Sequence, residues 1–304
     1  MSFSEDVRAE LAGIAPAREC DRLAELSALF HFAGRLHLLG RGEVSLHLDL
    51  SSPAAARRAF ALLRSFGVRS EIRTYQRRAF GRETRYQLHV EEDAREVLER
   101  AGVVDARFRP RDRPPRKVVS RSCCRSAYVR GALLASGSVS APPSPHLEVR
   151  SETREGADAV AAAAAAEGGE LRVADRADHV VAYAKGIDRI AGVLAAAGAS
   201  EAALALQERA VVGSSRARAN RLANADHANL VRSGRAAHAQ LQAVRRLDRS
   251  GRLDSLAPQL KEIARLRLKH PSLSIRDLGA KCNPPASKST AQRRLNALRR
   301  IARQ

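Results

Sequence analysis

The sequence predicts an α+β protein in which a duplicated α/β unit is followed by an all-α domain. Three observations support this fold class. The same order of helices and alternating strands occurs twice before residue 200, the two copies keep a constant spacing, and the last third is helical and strongly basic. The spacing is 103 residues both from Gly34 to Gly137 and from Glu43 to His146. A repeat of this length predicts two copies of one unit that face each other.

The repeat also sets the expected domain boundaries. Residues 1–200 form the duplicated domain, with halves at about 21–105 and 124–199 and a linker at 106–120. Residues 201–218 are an interdomain linker, and Gly213, Ser214 and Ser215 predict a hinge within it. Residues 219–304 form the C-terminal domain.

The first copy follows a short helix over residues 3–14. An apolar helix from Leu23 ends in the small residues Ala33 and Gly34. The segment EVSLHLDL then alternates strictly between apolar and polar residues, which predicts a half-buried strand. Its apolar residues are Val44, Leu46, Leu48 and Leu50.

The rest of the first copy is marked by turn and cap residues. A helix over residues 52–66 starts at Ser-Pro and is stopped by a glycine. Two alternating segments predict a hairpin around Gly81, and a helix over residues 94–102 closes the copy. The run RFRPRDRPPRK at residues 107–117 is rich in proline and arginine, and we expect it to be a linker that does not pack.

The second copy repeats these elements in the same order. SAYVRGALLASGSV is again a helix that ends in small residues, and HLEVRSE is an alternating strand. A helix over residues 156–167, a hairpin from LRVADR and HVVAYAK, and a closing helix over residues 187–197 follow.

The charge is distributed unevenly along the chain. The formal net charge is +20, of which residues 201–304 carry +15, from 22 Lys and Arg against 7 Asp and Glu. Residues 1–200 carry the remaining +5, from 31 basic against 26 acidic residues. A positive field concentrated in one domain predicts a polyanionic partner and salt-sensitive association. The sequence predicts no membrane span and no signal peptide, so we expect a cytoplasmic, nucleoid-associated protein.

Neither the cysteines nor the histidines are spaced as metal ligands. Cys20, Cys123, Cys124 and Cys282 offer no CxxC pair, and the adjacent Cys123 and Cys124 are not ordinary spaced zinc ligands. We interpret all four as reduced thiols, with redox sensing by Cys123 and Cys124 as the alternative. The sequence therefore predicts no metal site and no cofactor.

The C-terminal domain carries a helix-turn-helix pattern. Ser274 can cap a short helix that turns Ile275 and Leu278 inward, and a turn of roughly six residues through Asn283, Pro284 and Pro285 follows, longer than the typical three or four. A second helix starts near Ser287. The residues on its packing stripe are Ala291, Leu295, Leu298 and Ala302.

The opposite face of this second helix presents hydrogen-bond donors and positive charge. A major groove admits one helix, read mainly from its N-terminal half, so the residues expected to approach base edges are Ser289, Thr290, Gln292, Arg293 and Asn296. The residues placed for phosphates are Lys288, Arg299, Arg300 and Arg303. The alternative is an amphipathic surface helix with a solvated basic face.

Two further segments surround this motif. A long helical pattern starts at Ala219, and near its start Asn220, Arg221 and Asn224 can contact phosphates or bases. The two asparagines can equally cap a helix and satisfy a turn. Residues 258–269 predict an amphipathic helix that supports the second helix of the motif from behind.

The helices LSALFHFAG (residues 26–34) and VRGALLASG (residues 129–137) resemble the two LAGLIDADG helices of a single-chain homing endonuclease. The resemblance implies a saddle-shaped duplicated domain. In that family an acidic residue just before the final glycine of each helix coordinates the catalytic metal. Here Ala33 and Ser136 occupy these positions, so the carboxylates that two-metal phosphodiester cleavage needs are missing.

A degenerate LAGLIDADG duplication followed by a helix-turn-helix is similar to the WhiA family of bacterial sporulation and cell-division regulators. The resemblance rests on LAELSALFHFAGRLHL, YVRGALLASGSV, RANRLANADHANL and LGAKCNPPASKSTAQRRL, and it covers nearly the whole chain. It implies a sequence-specific transcription factor whose terminal domain resembles region 4 of sigma factors. The partners it implies are promoter DNA, a WhiB-like iron-sulfur protein and RNA polymerase. A low-specificity chromosome-associated DNA binder and an active DNA endonuclease are the alternatives.

Overall fold

The structure is a computed structural model that describes residues 2–40, 43–77, 83–90 and 94–304. The chain divides into two compact units, Met1–Ser214 and Ser215–Gln304. The first contains both helices and antiparallel sheets and the second is helical, so the predicted α+β class is confirmed. Within the described ranges, no helix is long and apolar enough to cross a membrane.

The first unit contains two copies of one arrangement. The helix α1 (Phe3–Gly13) precedes the first copy, which comprises α2 (Glu19–Ala33), β1 (Gly34–Gly40), β2 (Glu43–Leu50), α3 (Pro53–Ser65), β3 (Ser70–Arg77), β4 (Glu83–Val90) and α4 (Arg95–Arg100). The second comprises α5 (Ser122–Ser136), β5 (Gly137–Ser140), β6 (His146–Ser151), α6 (Arg154–Ala165), β7 (Arg172–Asp175), β8 (Val180–Lys185) and α7 (Ile187–Ala197). The predicted closing helix over residues 187–197 has the same bounds in the structure.

Each copy builds a four-stranded antiparallel sheet of the same topology. The strand order is β1-β2-β4-β3 in one sheet and β5-β6-β8-β7 in the other. In the first sheet Leu48 of β2 lies opposite Leu88 of β4, and both are fully buried, as the alternation predicted for Leu48. The side chain of Val44 and the predicted hairpin tip at Gly81 lie outside the described residues.

The strands β1 and β5 were not predicted from the sequence. Each strand begins at the residue directly after the preceding helix, with no loop between them. At the junctions, Gly34 and Gly137 have extended backbones. A Cβ atom at Gly34 would lie 2.4 Å from the Phe30 carbonyl oxygen, and one at Gly137 would lie 2.5 Å from that of Leu133. Glycine is therefore required where the chain changes from helix to strand.

The helices α2 and α5 pack against each other at the centre of the first unit. Ala28 and Gly131 allow the close approach, and aliphatic side chains fill the surrounding core. A buried carboxylate also lies there, because Glu25 accepts hydrogen bonds from Arg58 Nε at 2.6 Å and from Arg130 Nε at 3.0 Å. The contact between the copies thus combines small-residue packing with a fully paired buried charge.

The arginine-rich connection between the copies packs, contrary to the prediction. Pro114 is buried, and Val118 is buried within a short 3-10 helix at Arg116–Val119. The Asp105 carboxylate accepts the backbone N–H groups of Arg107 and Arg109, both at 2.9 Å. The charged run can lie on the surface because this carboxylate fixes its start, and because prolines carry no N–H group that burial would leave unpaired.

The second unit is a helical domain with its own core. Its helices are the C-terminal part of α8 (Ser200–Arg249), α9 (Pro258–Lys269), α10 (Ile275–Ala280) and α11 (Lys288–Ile301). Apolar residues from all four helices form one cluster, which includes Val244, Ile263, Leu278 and Leu295.

The segment expected to be a hinge, Gly213, Ser214 and Ser215, lies within α8, and the two compact units divide between Ser214 and Ser215. One glycine inside a helix costs only about 1 kcal/mol relative to alanine. The Ala, Leu, Gln and Arg residues at 202–210 and 216–223, on both sides of this segment, favour the helix and outweigh that penalty. The helix also starts earlier than predicted, at Ser200 rather than Ala219.

Candidate nucleic-acid interface

The first turn of α11 is fixed by Ser287, its N-cap residue. The Ser287 Oγ accepts the backbone N–H of Thr290 at 3.2 Å and lies 2.9 Å from the hydroxyl oxygens of both Ser289 and Thr290. An N-cap of this kind satisfies a backbone donor that would otherwise lack a partner. The N-terminal end of the helix, which carries the positive end of its dipole, is therefore held in one geometry.

One face of α11 packs into the core of the second unit, as predicted. Ala291, Leu295 and Leu298 are fully buried, and Ala302 just beyond the helix is 6% exposed. The spacing of these residues follows the helical repeat, so the opposite face is left toward solvent.

The helix α10 and the following turn support the start of α11. Ser274 caps α10 by accepting the N–H of Asp277 at 3.2 Å, as the sequence predicted. A Cβ atom at Gly279 would lie 2.5 Å from the Ala286 carbonyl oxygen, so only glycine permits this contact. The turn is also tied to α9, because the Asn283 N–H donates to Glu262 Oε1 at 2.6 Å.

The predicted DNA-contacting residues of this motif lie on the solvent side of α11. Those that are exposed are Lys288, Ser289, Arg293, Asn296, Arg300 and Arg303. Those that are half-buried are Thr290, Gln292 and Arg299. The Gln292 Nε2 donates to Asn296 Oδ1 at 3.1 Å, which orders two of the candidate base readers with respect to each other. The motif therefore presents amide, hydroxyl and guanidinium groups along one side of a single helix.

Some basic residues near this face are structural. Arg294 is turned toward α9, where its Nη2 donates to Gln259 Oε1 at 3.0 Å. Arg246 donates from Nη1 to the Ala302 carbonyl oxygen at 3.2 Å and so holds the C-terminal end of α11. The sequence pattern did not distinguish Arg294 and Arg246 from the exposed arginines, because the groups that accept their hydrogen bonds come from other helices.

Arg267 is the clearest residue that the sequence analysis missed. It is 1% exposed, and burial lowers the pKa of its guanidinium below the ordinary value. Its Nη1 donates to the carbonyl oxygens of Pro271 at 3.3 Å and Leu273 at 2.8 Å, and its Nη2 donates to Gln240 Oε1 at 2.9 Å. Arg267 thus joins α8 to the loop that precedes α10 and positions the whole motif.

A groove beside the start of α11 is lined with positive charge. Its volume is about 1250 Å³, and Lys288 and Gln292 of α11 line it together with Arg232 and Arg276. Cations along a groove raise the local concentration of an anionic partner. The exposed face of α11 therefore adjoins a basic surface on α8 and α10.

The residues Asn220, Arg221 and Asn224 are exposed on α8, apart in sequence from the α10–α11 motif. They lie in the interior of this helix, so the alternative in which they cap its start is wrong. Their predicted contact with DNA stays a prediction.

Ala33 and Ser136, which stand where LAGLIDADG endonucleases carry acidic residues, lie at the C-terminal ends of α2 and α5. Ala33 is buried, and the Ser136 hydroxyl donates to the Arg150 carbonyl oxygen at 2.7 Å. Neither side chain is a metal-binding carboxylate.

Family models match three consecutive stretches of the chain. The WhiA N-terminal LAGLIDADG-like domain matches residues 19–104 and the WhiA LAGLIDADG-like domain matches residues 125–216. The WhiA C-terminal HTH domain matches residues 219–302. These matches follow the order of the two α/β copies and the helical unit.

Curated relatives match over nearly the full chain. A "Probable cell division protein WhiA" from Symbiobacterium thermophilum is 36% identical over 306 residues, which cover 99% of this chain and 98% of the relative. A protein of the same name from Streptomyces avermitilis is 37% identical over 314 residues, which cover 99% and 92%.

A solved structure shares the fold. The crystal structure of full-length DUF199/WhiA from Thermotoga maritima covers 100% of this chain and 98% of its own, with a TM-score of 0.58 at 21% sequence identity. Because all three family models match in order and the relatives span nearly the whole sequence, the chain belongs to the WhiA family.

Proposed function

We propose that the protein is a sequence-specific DNA-binding transcription regulator of cell-division or sporulation genes, and that α11 reads the bases. One observation carries the proposal. The capped N-terminal half of α11 exposes a mixed polar and cationic face directly opposite its buried stripe. Binding to phosphates alone would need only Lys and Arg, whereas amides and hydroxyls discriminate between base edges.

The proposed contacts divide into two groups. Ser289, Thr290, Gln292, Arg293 and Asn296 approach base edges in the major groove. Lys288, Arg299, Arg300 and Arg303 contact phosphates and fix the position of the helix. A second contact comes from Asn220, Arg221 and Asn224 on α8, which are exposed.

The first unit is proposed to act without catalysis, as a scaffold or as a surface for protein partners. Ala33 and Ser136 supply no carboxylate where LAGLIDADG endonucleases hold metal. Residues 1–200 also carry only +5 of the +20 net charge, which is small for a surface that wraps a duplex. A WhiB-like iron-sulfur regulator and RNA polymerase are the proposed protein partners, and the nucleoid is the proposed location.

The proposal is tested by selecting bound duplexes from a random library with the full chain. We expect one enriched motif, and we expect the double variant Arg293→Ala/Asn296→Ala to bind without enriching it. Tight binding of the unsubstituted chain with no enriched motif would instead support the low-specificity chromosome-associated binder, for which the +15 charge of residues 201–304 is the supporting observation.

The same preparation tests the assignment as a non-enzyme. Incubation with supercoiled plasmid and magnesium is expected to leave the plasmid intact. Reproducible cleavage that a chelator abolishes would contradict the assignment and support an endonuclease.

A further inference from the structure

Two dipeptides at equivalent positions of the two copies meet in the first unit. Cys20-Asp21 and Cys123-Cys124 are separated by 103 residues, the interval that also separates Gly34 from Gly137. Each dipeptide occupies the second and third positions of its helix, since α2 starts at Glu19 and α5 starts at Ser122. The pseudo-symmetry of the duplication therefore brings two side chains from each copy to one place.

The four side chains form a compact set of metal-ligand atoms. The three Sγ atoms and one Asp21 carboxylate oxygen all lie within 4.8 Å of one another. The Cys123 and Cys124 sulfurs are 4.0 Å apart, and the Cys20 sulfur is 3.4 Å from Asp21 Oδ1. Tetrahedral zinc with Zn–S bonds of about 2.3 Å separates its sulfur ligands by about 3.8 Å. A shift of about 1 Å or less brings the set to that geometry.

The four side chains are largely shielded from solvent. Cys124 is 1% exposed and Asp21 is 8% exposed, while Cys20 and Cys123 are half-buried. Within the described part of the chain, the only hydrogen bond that the Asp21 side chain receives comes from Cys20. The Arg18 guanidinium also interacts with this carboxylate, and a divalent cation bound among the four side chains would coordinate it directly.

Positive charge of the protein also converges on the cluster. All four side chains belong to the first turns of α2 and α5, and a helix N-terminus lowers the energy of a thiolate. The Arg18 Nη1 lies 3.7 Å from the Cys123 sulfur.

We propose that Cys20, Asp21, Cys123 and Cys124 bind one Zn²⁺ ion that joins the two copies of the duplicated unit. Three thiolates select a thiophilic cation such as zinc over magnesium or calcium. Binding forms three Zn–S bonds and one Zn–O bond, and it releases one proton from each thiol that was protonated. The protein fills all four positions, which is typical of a structural zinc site with no open position for a substrate.

The site is distinct from the positions where LAGLIDADG endonucleases hold their metal. Those positions, Ala33 and Ser136, lie at the C-terminal ends of the same two helices. Twelve to thirteen residues of helix at about 1.5 Å each place them roughly 20 Å away. The proposed zinc therefore fixes the helix pair at its N-terminal end and takes no part in phosphodiester chemistry.

The test uses the full-length chain, reduced and prepared without oxygen, and titrates it with Co²⁺ as a spectroscopic substitute for zinc. We expect intense thiolate-to-cobalt absorption and tetrahedral ligand-field bands that saturate at one equivalent and disappear when Zn²⁺ is added. Elemental analysis of the purified protein is expected to find about one zinc ion per chain, because the four side chains fill all coordination positions of the metal.

Matched variants separate this site from nonspecific thiol binding. Cys20→Ser and Cys123→Ser are each expected to weaken Co²⁺ binding by at least about 100-fold. Cys282→Ser, which removes a buried thiol of the second unit, is expected to bind as the unsubstituted chain does. Circular dichroism of each variant before the titration shows whether it is folded, and Asp21→Asn, which keeps the three thiols, is expected to bind with changed ligand-field bands.

Three outcomes would overturn the proposal. The first is a folded, fully reduced chain with no thiolate-to-cobalt absorption. The second is unchanged binding by both Cys20→Ser and Cys123→Ser. The third is a disulfide between Cys20 and Cys123 or Cys124 that persists in protein purified under reductant, which mass spectrometry would detect.

Discussion

Gly131 of α5 lies so close to Glu25 of α2 that a Cβ atom at position 131 would be 2.4 Å from the Glu25 carbonyl oxygen. The same atom would lie 2.8 Å from the Ala28 Cβ. Backbone on one side and a short side chain on the other leave no flexible group that can move aside. Gly131→Ala is therefore expected to lower the free energy of unfolding by about 1–3 kcal/mol, measured by urea denaturation.

Gly213→Ala is the control for this substitution. Position 213 is also helical, but a Cβ atom there would have no neighbour within 4 Å. Alanine is the better helix former, so this variant is expected to be as stable as the unsubstituted chain or more stable by up to about 1 kcal/mol. Equal stability of the two alanine variants would contradict the close contact at Gly131.

The buried carboxylate of Glu25 predicts a large effect on stability. Its side chain is fully buried, and it accepts hydrogen bonds from Arg58 and Arg130. Removing one partner of a buried ion pair leaves the other charge without compensation, which costs about 3–5 kcal/mol. Glu25→Ala is expected to lose this amount in urea denaturation.

The control for Glu25→Ala is the substitution of an exposed carboxylate in the same unit. Glu152 forms an ion pair with Arg35, but its side chain is 69% exposed. Glu152→Ala is expected to change the free energy of unfolding by less than about 1 kcal/mol, since exposed pairs contribute little. A small effect at Glu25 as well would mean that the buried network does not stabilise the helix pair.

The half-buried His31 predicts a pH dependence of stability. Burial lowers the pKa of His31 from 6.5 to about 4, so the folded protein resists protonation of this ring more than the unfolded chain does. As the pH falls from about 6.5 to about 4, the unfolded state takes up the proton first and stability decreases. Below that window both states are protonated, and above it both are neutral.

His31→Gln removes this titration but keeps a polar side chain near Ser27 and Tyr128. Other groups titrate alike in both proteins. The unsubstituted chain is therefore expected to lose up to about 3 kcal/mol more than the variant between pH 6.5 and pH 4. Parallel stability curves for the two proteins, measured by denaturation at several pH values, would rule out a contribution from His31.

Substitutions of two arginines of α11 are expected to distinguish base recognition from phosphate binding. Arg293 and Arg300 are both exposed on the same face of the helix. Arg293→Ala is expected to weaken binding to the selected motif by about 1–3 kcal/mol while changing binding to random duplexes less. Arg300→Ala is expected to weaken both equally and to reduce the salt dependence of binding. Equal losses on both duplexes for Arg293→Ala would favour the low-specificity binder.

Local sequence patterns predicted the features of this fold that depend on neighbouring residues. The stripe from Ala291 to Ala302, the capped start of α10 at Ser274 and the closing helix α7 agree with the structure. Each is determined by a helical repeat or by a cap within a few residues. The contacts predicted for the exposed face of α11 stay predictions until binding is measured.

The features that sequence patterns missed depend on distant partners. The linker packs because Pro115 meets Gly102 and because Val118 is buried in the core, which no local pattern indicates. Arg267 is internal because Gln240 and loop carbonyl groups accept its hydrogen bonds. The cysteine cluster escaped a search based on CxxC spacing, although the 103-residue interval found at Gly34 and Gly137 also relates Cys20 to Cys123.

The ion pair between Glu25 of α2 and Arg130 of α5 makes the two halves of the first unit non-interchangeable at their interface. At the repeat interval, the position equivalent to Glu25 carries Tyr128, and the position equivalent to Arg130 carries Ser27. A symmetric dimer of the first half would leave each Glu25 carboxylate with Arg58 but without Arg130, and a dimer of the second half would bury two Arg130 guanidiniums without Glu25. The two halves are therefore complementary at this interface, and each supplies a charged group that the other lacks at the equivalent position.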